Sequence, residues 1–449
     1  MSKHEKKTIC IVGLGYVGLP LAVLAAKKGY NVIGIDKDET KVTLLNNNIL
    51  PFQDDKKMAE DFKKVKIEAT NTFERVGETS IAIVCVPTPV DEAHNPDLGP
   101  VKSAVSGIGK YISKGHLVII ESTINPGVCE SIILPILEKT SGLKAGKDFY
   151  LSHCPERINP GDKKWTVRNI PRVVGSLESA GLKKTVAFYK SIVEAEIRPM
   201  ASLKEAEAVK IVENAFRDIN IAFVNELAQS FSHLNIDTVN VINGAATKPF
   251  SFLPHYPSCG VGGHCIPVDP YYLIDYARRN GFNHRFLSLA RNINNSMPQF
   301  TVDLAKELLG EKNIPISKAK ITVLGLSYKA NVSDCRESPS FKIIEELKHQ
   351  GADVAVYDPY VKEKSTVNST EEAVNKADVV IIAAAHKEFC NLTPKFFLKH
   401  KVNAIVDGQN CLNKEKFTAA GIIYEGIGRH HYHDNLNTHH RNIKQKALQ

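Results

Sequence analysis

Cys265 is the residue whose surroundings in the sequence most strongly indicate chemistry. It follows a glycine-rich run, Gly260-Val-Gly-Gly-His, and an aspartate, Asp269, comes four residues after it. Exposed backbone amides in such a loop bind anions and lower the pKa of a thiol. An isolated cysteine is otherwise a small, buried hydrophobic residue. The loop and the aspartate favour the interpretation that Cys265 is a nucleophile.

A second set of polar residues shares one face of a long predicted helix. Lys210, Asn214 and Arg217 are spaced i, i+4 and i+7, so they lie on the same side of the helix. Because their neighbours are apolar, the lysine must find an anion or shift its pKa. An internal salt bridge with Glu207 or Glu213 is the alternative that the spacing leaves open.

Three glycines near the N-terminus indicate a dinucleotide site. Gly13, Gly15 and Gly18 form a GxGxxG pattern between a predicted strand and a helix, and Asp36 ends the next predicted strand. In this pattern the glycines allow a tight turn and close approach to a pyrophosphate, which the helix N-terminus then holds. Asp36 accepts the ribose hydroxyls and repels a 2′-phosphate, so NAD is favoured over NADP, a preference that Lys37 weakens. A sharp turn without a cofactor is the alternative.

Two further loops follow predicted strands of the same region. Pro87-Thr88-Pro89 comes after the strand 81–86, and Glu121-Ser-Thr123 comes after the strand 117–120. A doubly wound sheet binds its ligand at the carboxyl ends of its strands. The loops are therefore expected to face a ligand, although ordinary threonine-capped loops would have the same sequence.

The order of apolar strands and helices predicts an α/β fold with two doubly wound (Rossmann-like) domains joined by a long central helix. Residues 1–200 form the first of these domains with a parallel sheet, and residues 313–428 form the second. Residues 201–312 form a central helical region whose long helix, apolar nearly all round, is predicted to be buried and to form a subunit interface. Residues 429–449 are a His-rich, basic tail that is predicted to be disordered, with a metal site there as a less favoured alternative.

Composition excludes several classes of protein. With 449 residues, 43% of them hydrophobic, the chain is not disordered as a whole. No apolar run reaches the roughly 18 residues of a membrane span, and no signal peptide is visible, so a cytoplasmic protein without a membrane partner is expected. The net charge of +8 suits an anionic small molecule, and no basic–aromatic motif supports a nucleic-acid partner. The nine cysteines form no CxxC pair, which predicts reduced thiols, and no metal is expected in the active site.

The motifs together resemble those of the UDP-glucose/GDP-mannose dehydrogenase superfamily, the nucleotide-sugar 6-dehydrogenases. The resemblance extends over about 8–428 and includes, in chain order, Gly13-Leu-Gly-Tyr-Val-Gly-Leu-Pro, Val86-Pro-Thr-Pro, Glu121-Ser-Thr, Cys154-Pro-Glu-Arg-Ile-Asn-Pro-Gly, Glu207-Ala-Val-Lys-Ile-Val-Glu-Asn, Gly260-Val-Gly-Gly-His-Cys-Ile-Pro-Val-Asp and Tyr328-Lys-Ala-Asn-Val-Ser-Asp-Cys-Arg-Glu-Ser-Pro. It implies an NAD-dependent, four-electron oxidation of a sugar C6 alcohol to a carboxylate through a thiohemiacetal and a thioester on Cys265. A protein that keeps the fold without turnover would have lost Cys265 or Lys210, and both are present.

The resemblance also implies roles for individual residues. Lys210 stabilises or exchanges the proton of the C6 oxygen, Asn214 orients that oxygen, and Asp269 and a water near Thr123 assist proton transfer. Glu156 is the candidate base for hydrolysis of the thioester. The implied nucleotide-sugar contacts are Arg157, Ile158, Lys210, Asn214, Arg217, Gly262 and Lys329, with Lys248 as a diphosphate partner from a neighbouring subunit. The implied cofactor contacts are Gly13, Gly15, Tyr16, Val17, Gly18, Asp36, Lys37, Pro87, Thr88, Thr123 and Arg336.

The residues around the nucleophile bear on the sugar. His264, Ile266-Pro-Val-Asp-Pro-Tyr-Tyr and Pro155-Glu-Arg-Ile-Asn-Pro-Gly resemble the N-acetylhexosamine branch, and Val268 stands where UDP-glucose enzymes tend to carry lysine. UDP-N-acetylglucosamine is the substrate expected first, before UDP-N-acetylmannosamine, UDP-N-acetylgalactosamine and UDP-glucose. The resemblance further implies a homodimer or larger homo-oligomer through the long helix, a catalytic cleft between the domains, and a place in polysaccharide or glycan synthesis.

Overall fold

The computed structural model describes residues 7–51, 56–91, 96–158, 164–263 and 265–430. His264, Asn159, Pro160 and Gly161, together with residues 431–449 of the tail, lie outside the described residues. Arg429 and His430, assigned to the tail from the sequence, are described: Arg429 pairs with Asp237 at 3.1 Å and His430 with Glu425 at 2.9 Å.

The chain packs as two compact units. The first comprises 1–214 and 268–284, and the second comprises 215–267 and 285–449. Residues 201–312, predicted as a central region, contribute to both units.

The first unit is built on a sheet of eight strands with the order β3-β2-β1-β4-β5-β6-β7-β8. Its strands are β1 (Thr8–Val12), β2 (Asn31–Ile35), β3 (Ile67–Thr70), β4 (Ile81–Val84), β5 (Leu117–Ile120), β6 (Tyr150–His153), β7 (Arg172–Ser176) and β8 (Ile197–Pro199). Its helices are α1 (Gly18–Lys27), α2 (Glu39–Asn46), α3 (Lys56–Phe62), α4 (Gly99–Gly109), α5 (Leu134–Ser141) and α6 (Ser179–Ile192). The prediction of a parallel sheet holds from β3 to β6, but β6 and β7 are antiparallel.

Both faces of this sheet are covered, because side chains of successive strand residues point to opposite faces. In β1, Ile9 and Ile11 belong to one hydrophobic core, whereas Cys10 and Val12 belong to the other. Strands that are apolar on both sides are typical of parallel sheets with helices on each face, which is the doubly wound arrangement that the sequence predicts.

Helix α7 (Leu203–Leu234) runs through 32 residues, of which 203–214 belong to the first unit and 215–234 to the second. It is followed by α8 (Thr238–Ala245), a loop, α9 (Asp269–Arg279) and α10 (Arg285–Glu311). The prediction that α7 is buried on every side is wrong for the single chain, since Val212, Phe216 and Phe223 are each about half exposed (55%, 50% and 52%).

The second unit contains a parallel sheet of five strands with the order β10-β9-β11-β12-β13. Its strands are β9 (Lys320–Leu324), β10 (Asp353–Tyr357), β11 (Val379–Ile382), β12 (Ala404–Asp407) and β13 (Ile423–Gly426), and its further helices are α11 (Pro339–His349), α12 (Thr370–Val374), α13 (Lys387–Cys390), α14 (Pro394–Lys399) and α15 (Lys414–Ala419). The predicted fold class, two doubly wound domains, is confirmed. Among the described residues, no helix is both long and apolar enough to cross a membrane.

Candidate active site

The glycine pattern forms the turn between β1 and α1. Gly13 has φ +92°, and a Cβ there would lie 2.6 Å from the carbonyl oxygen of Cys85; a Cβ on Gly18 would lie 1.9 Å from the carbonyl oxygen of Gly13. Both positions therefore require glycine for packing. Gly15 differs, because a Cβ there would meet no atom within 4 Å. The open space over Gly15, in front of the N-terminus of α1, fits the pyrophosphate of a dinucleotide.

Asp36, directly after β2, is fixed by three donors. Its Oδ2 accepts the amide of Leu14 (2.8 Å) and the ammonium of Lys41 (2.8 Å), and its Oδ1 accepts the amide of Asp38 (3.1 Å). Burial opposes ionisation, but Lys41 and the two amides hold the pKa of Asp36 below its ordinary value. Asp36 is thus a carboxylate at the position that recognises a ribose. Lys37 is exposed. The lysine that pairs with Asp36 is Lys41, which no sequence motif marks.

The loops after β4 and β5 are tied to each other and to α9. Ser122 donates to the carbonyl of Val86 (2.7 Å), and the Tyr272 hydroxyl donates to the carbonyl of Thr88 (2.5 Å). Asn125 in turn donates to the carbonyl of Tyr272 (2.9 Å). The structure therefore brings the segments of Pro87, Thr88 and Thr123 together at the carboxyl ends of the strands, as predicted, and fixes them through Tyr272.

Asp269, the first residue of α9, meets α7 within the first unit. Its Oδ2 accepts a hydrogen bond from the amide of Asn214. Complete burial raises the pKa of Asp269 to about 7, against the opposing effects of that hydrogen bond and of the positive charge of Lys210. A carboxyl group with a pKa near neutrality can both accept and release a proton under physiological conditions.

Lys210 does not form the internal salt bridge that its spacing left open. Glu207 instead accepts the amides of Gly127 (2.5 Å) and Cys129 (2.8 Å), and Glu213 pairs with Arg157. Within the described part of the chain, neither carboxylate pairs with Lys210. This favours the interpretation that the lysine serves a ligand, with Asp269 as its acidic neighbour.

Glu156 lies in a buried cluster of charges after β6. Its Oε1 accepts the amides of Arg157 (2.6 Å) and Ile158 (2.5 Å), and its Oε2 lies 3.4 Å from Arg172. Arg172 also binds Glu121 at 3.0 Å, and burial raises the pKa of Glu121 to about 7. The arrangement shapes the turn that presents Arg157 and Ile158, two residues expected to contact the sugar nucleotide.

Cys265 belongs to the second unit, where its glycine loop is closely packed. A Cβ on Gly262 would lie 2.7 Å from the Cβ of Tyr328, and the amide of Gly263 donates to the carbonyl of Arg336 (3.0 Å). The expectation that the Gly263 amide is exposed to bind an anion is therefore wrong, because that amide already has a partner. Cys265 itself is partly buried, and none of the nine cysteines, all of which lie in the described ranges, forms a disulfide.

The other cations of the second unit differ in their surroundings. Arg336 pairs with Asp334 (2.5 Å), Lys248 lies 4.8 Å over the ring of Phe250, and Arg217 is exposed on α7. Lys329 is partly buried, and its carbonyl accepts the hydroxyl of Ser327 (2.9 Å). Their expected contacts with the sugar nucleotide or the cofactor stay predictions.

Comparison of the sequence with known families gives a match to three domains of a single family. The domains are described as the NAD binding domain (residues 7–193), the central domain (204–296) and the UDP binding domain (322–414) of the UDP-glucose/GDP-mannose dehydrogenase family. The chain belongs to this family. It is an NAD-dependent UDP-sugar dehydrogenase, and the glycine turn and Asp36 of the first unit fit that cofactor.

Individual relatives of this dehydrogenase match over most of their length. A UDP-N-acetyl-D-mannosamine dehydrogenase of Pyrococcus horikoshii is 36% identical over 94% of this chain and 99% of its own. A UDP-N-acetyl-D-glucosamine 6-dehydrogenase of Pseudomonas aeruginosa is also 36% identical, over 86% of this chain and 92% of its own. The solved structure of the UDP-D-ManNAc dehydrogenase from Pyrococcus horikoshii superimposes with a TM-score of 0.88 at 35% identity, covering 94% of this chain and 99% of that one.

Several residues of the dehydrogenase site were missed from the sequence. Lys41, Tyr272 and Arg172 each act through partners that lie apart in the chain or in another element, and no short motif marks them. Tyr328 lies inside one of the motifs that resemble the family, but the sequence alone indicates no role for its side chain. A bulky side chain facing a glycine loop leaves no signal in the local sequence.

Proposed function

We propose that this dehydrogenase oxidises C6 of a UDP-N-acetylhexosamine to the uronate in two successive two-electron steps. The main support is the arrangement of Asp269, which is fully buried, receives a hydrogen bond from Asn214 and has a pKa raised to about 7 beside Lys210. Such a group is suited to taking the proton of a C6 hydroxyl, while Lys210 stabilises the negative charge on the oxygen.

Cys265 allows the second oxidation. An aldehyde lacks the alkoxide that drives hydride loss, so the thiolate first adds to C6 and forms an S–C bond, giving a thiohemiacetal. Loss of the C6 hydrogen as hydride and of the hydroxyl proton turns this adduct into a thioester. Water then attacks C6, the S–C bond breaks, and the products are the carboxylate and the regenerated thiol. NAD supplies the hydride acceptor in both oxidations.

Glu156 remains our candidate base for the hydrolysis, and its surroundings constrain that role. Both of its oxygens already accept hydrogen bonds, from two backbone amides and from Arg172. An attacking water would therefore have to share Oε2 with Arg172. Substitution Glu156→Gln should slow release of the uronate while leaving the first oxidation intact.

Within the N-acetylhexosamines we place UDP-N-acetylglucosamine first. The motifs around Cys265 resemble the N-acetylhexosamine branch as a whole and do not distinguish its epimers, and the Pseudomonas aeruginosa relative carries UDP-N-acetyl-D-glucosamine in its name. The manno epimer is the second candidate, because the Pyrococcus horikoshii relative named for it is equally identical and aligns over more of this chain.

We further propose a homodimer, or a larger homo-oligomer, assembled through α7. Val212, Phe216 and Phe223 are about half exposed in the single chain, and their spacing of i, i+4 and i+11 places them on one face of the helix. An exposed apolar stripe of this kind is typical of a surface that a partner covers.

A panel of UDP-sugars tests the proposed substrate class. The purified enzyme is assayed for NAD reduction with UDP-N-acetylglucosamine, UDP-N-acetylmannosamine, UDP-N-acetylgalactosamine and UDP-glucose. The products are identified by mass spectrometry. We expect kcat/KM to be highest for an N-acetylhexosamine and the product to be its uronate. Highest kcat/KM for UDP-glucose would contradict the proposal.

The variant Lys210→Met tests the role of the lysine. It should lower kcat by about 100-fold or more, because the charge on the C6 oxygen loses its partner. A rise in KM alone would show that Lys210 only binds the substrate.

A further inference from the structure

The glycine loop of Cys265 is packed against one particular segment of the second unit. This segment, residues 326–337, follows β9 and is called here the supporting loop. The carbonyl of Arg336 accepts a hydrogen bond from the amide of Gly263 (3.0 Å). The ring of Tyr328 packs against Gly263 so closely that a Cβ there would lie 2.8 Å from it. The position of the Cys265 loop therefore depends on the position of the supporting loop.

His386, which follows β11, accepts a hydrogen bond from the supporting loop. The imidazole is fully buried, and its Nδ1 accepts the backbone amide of Asn331 (2.8 Å). Asn331 has φ +60°, a left-handed conformation that costs free energy and needs support from its surroundings. The hydrogen bond from Asn331 to His386 supplies such support at the middle of the loop.

The second nitrogen of His386 fixes the imidazole itself. Its Nε2 lies 3.0 Å from Oδ2 of Asp358 and 3.1 Å from Oγ of Ser327. The same Oδ2 accepts the amides of Leu326 (2.6 Å) and Ser327 (3.0 Å), where the supporting loop begins. Because Nδ1 accepts from an amide, the geometry assigns the proton of the neutral ring to Nε2, which donates to Asp358.

Asp358, directly after β10, is the common hydrogen-bond partner of His386 and of the amides of Leu326 and Ser327. Burial opposes its ionisation, but His386 and the amides of Leu326 and Ser327 hold the pKa of Asp358 at about 2. A carboxylate that is ionised near neutral pH keeps the imidazole in one orientation, so the Nδ1 acceptor always faces Asn331. His386 thereby ties the chain after β9, β10 and β11 together.

We propose that His386 is a positioning residue for the nucleophile: through Asn331 and the supporting loop, it fixes the place of the Cys265 thiol. The inference rests on the proposed role of Cys265 in the two-step oxidation. His386 is fully buried and acts through the loop instead of touching the substrate. Lys329 lies on the same loop, so the substrate contact expected of it would be held by the same histidine.

Two substitutions separate the two nitrogens of the ring. His386→Asn places an amide oxygen near the position of Nδ1, so the acceptor for the Asn331 amide is kept and the donor to Asp358 is lost. His386→Gln places a donor near the position of Nε2, so the contact with Asp358 is kept and the acceptor for Asn331 is lost. The proposal requires that the Gln variant be the more impaired of the two.

The first measurement is steady-state kinetics of NAD reduction with the best UDP-sugar. We expect His386→Gln to lower kcat by about 10- to 100-fold, as expected for a displacement of a reacting group, and His386→Asn to stay within about threefold of the wild type. The second measurement is the rate at which iodoacetamide alkylates Cys265, followed by peptide mass spectrometry. Cys265 should react several-fold faster in the Gln variant, because its loop has lost its anchor, and at the wild-type rate in the Asn variant.

Tyr328 gives a second test in case His386→Gln does not fold. Tyr328 is only half buried, and Tyr328→Ala removes the ring that supports the glycine loop, so alkylation of Cys265 should again be faster. Tyr328→Phe keeps the ring and is the matched control. The thermal unfolding midpoint and the far-ultraviolet circular dichroism spectrum verify that each variant is folded.

Three results would overturn the proposal: equal kcat and equal alkylation rates in the Gln variant and the wild type, equal impairment of both His386 variants, or no change of alkylation in Tyr328→Ala. Failure of the proposed function is a separate result, since it would appear as a wild-type enzyme that makes no uronate from any UDP-sugar. The alkylation rates can be read in that case too.

Discussion

Burial raises the pKa of Asp269 to about 7, so the charge of this residue changes near neutral pH. Because the folded-state pKa lies above the ordinary value, folding favours the protonated form, and stability is lost as the pH rises from about 4 to about 7. Asp269→Asn cannot ionise and should escape this loss. We expect the free energy of unfolding of the wild type to fall relative to that of the variant by about 2–4 kcal/mol between pH 4 and pH 8.

Urea unfolding of both proteins at a series of pH values measures this difference. A difference that stays constant from pH 4 to pH 8 would show that Asp269 does not titrate in this range. The same variant should also lose the acidic limb near pH 7 in the pH profile of kcat/KM, if Asp269 takes the proton of the substrate.

We expect Cys265 to be required for the second oxidation but not for the fold. Cys265→Ser should reduce uronate formation by about 1,000-fold or more, because a hydroxyl is a far weaker nucleophile than a thiolate. Product analysis by mass spectrometry and NAD binding by calorimetry give the result. Cys390→Ser, another partly buried cysteine of the second unit, is the control and should retain activity. Unchanged uronate formation in Cys265→Ser would remove Cys265 as the nucleophile.

We expect Asp36, which pairs with Lys41, to determine the preference for NAD over NADP. In Asp36→Ala the ribose loses its acceptor and Lys41 loses its partner, so its ammonium can face a 2′-phosphate. The ratio of kcat/KM for NADP to that for NAD should rise by roughly 10- to 100-fold, the value of one or two charge-assisted hydrogen bonds. Asp38→Ala, which removes the N-cap of α2, should lower stability without changing this ratio. An unchanged ratio in Asp36→Ala would show that the carboxylate does not recognise the ribose.

Residues of the site could be predicted where a motif is local. The glycines, Asp36, Lys210 and Cys265 stand in short patterns whose chemistry depends on spacing alone. The partnerships could not be predicted: Asn214 and Asp269 are 55 positions apart, and His386 and Asn331 are also 55 apart. Contacts of this length arise from the packing of elements and leave no trace in the local sequence.

At the scale of elements, α7 shows why a prediction of burial can be wrong. Its apolar residues do surround the helix, but Val212, Phe216 and Phe223 remain about half exposed in the single chain. Sequence periodicity indicates that a helix face is apolar, but it does not indicate whether the same chain or a partner covers that face. The antiparallel pairing of β6 and β7 was missed for a similar reason, since an apolar strand has the same composition in either direction.

The exposed stripe of α7 predicts the behaviour of the oligomer. Phe216→Glu with Phe223→Glu places two charges at the proposed interface, where burial without a partner costs several kcal/mol. Sedimentation velocity should then show the single-chain mass of 49.5 kDa in place of the mass of the proposed dimer. Leu398→Glu, which adds a charge at an exposed apolar residue of α14, is the control and should leave the mass unchanged. A dimer that survives the double substitution would place the interface elsewhere.

At the scale of the whole molecule, the two doubly wound sheets repeat one arrangement. In the first unit Asp36 accepts the amide of Leu14, the residue after Gly13, and in the second Asp358 accepts the amide of Leu326, the residue after Gly325. Both glycines have positive φ, +92° and +99°. The doubly wound fold of each domain was predicted from the sequence pattern, but this correspondence was not, because the second turn lacks the remaining glycines of the pattern.

The stoichiometry of NAD reduction tests the central claim most directly. The enzyme is given a limiting amount of its best UDP-sugar and excess NAD, and the reaction is followed to completion. The account predicts two NADH and one uronic acid per sugar, because the same molecule is oxidised twice through Cys265. One NADH per sugar, with an aldehyde as the product, would contradict it and leave a simple alcohol dehydrogenase.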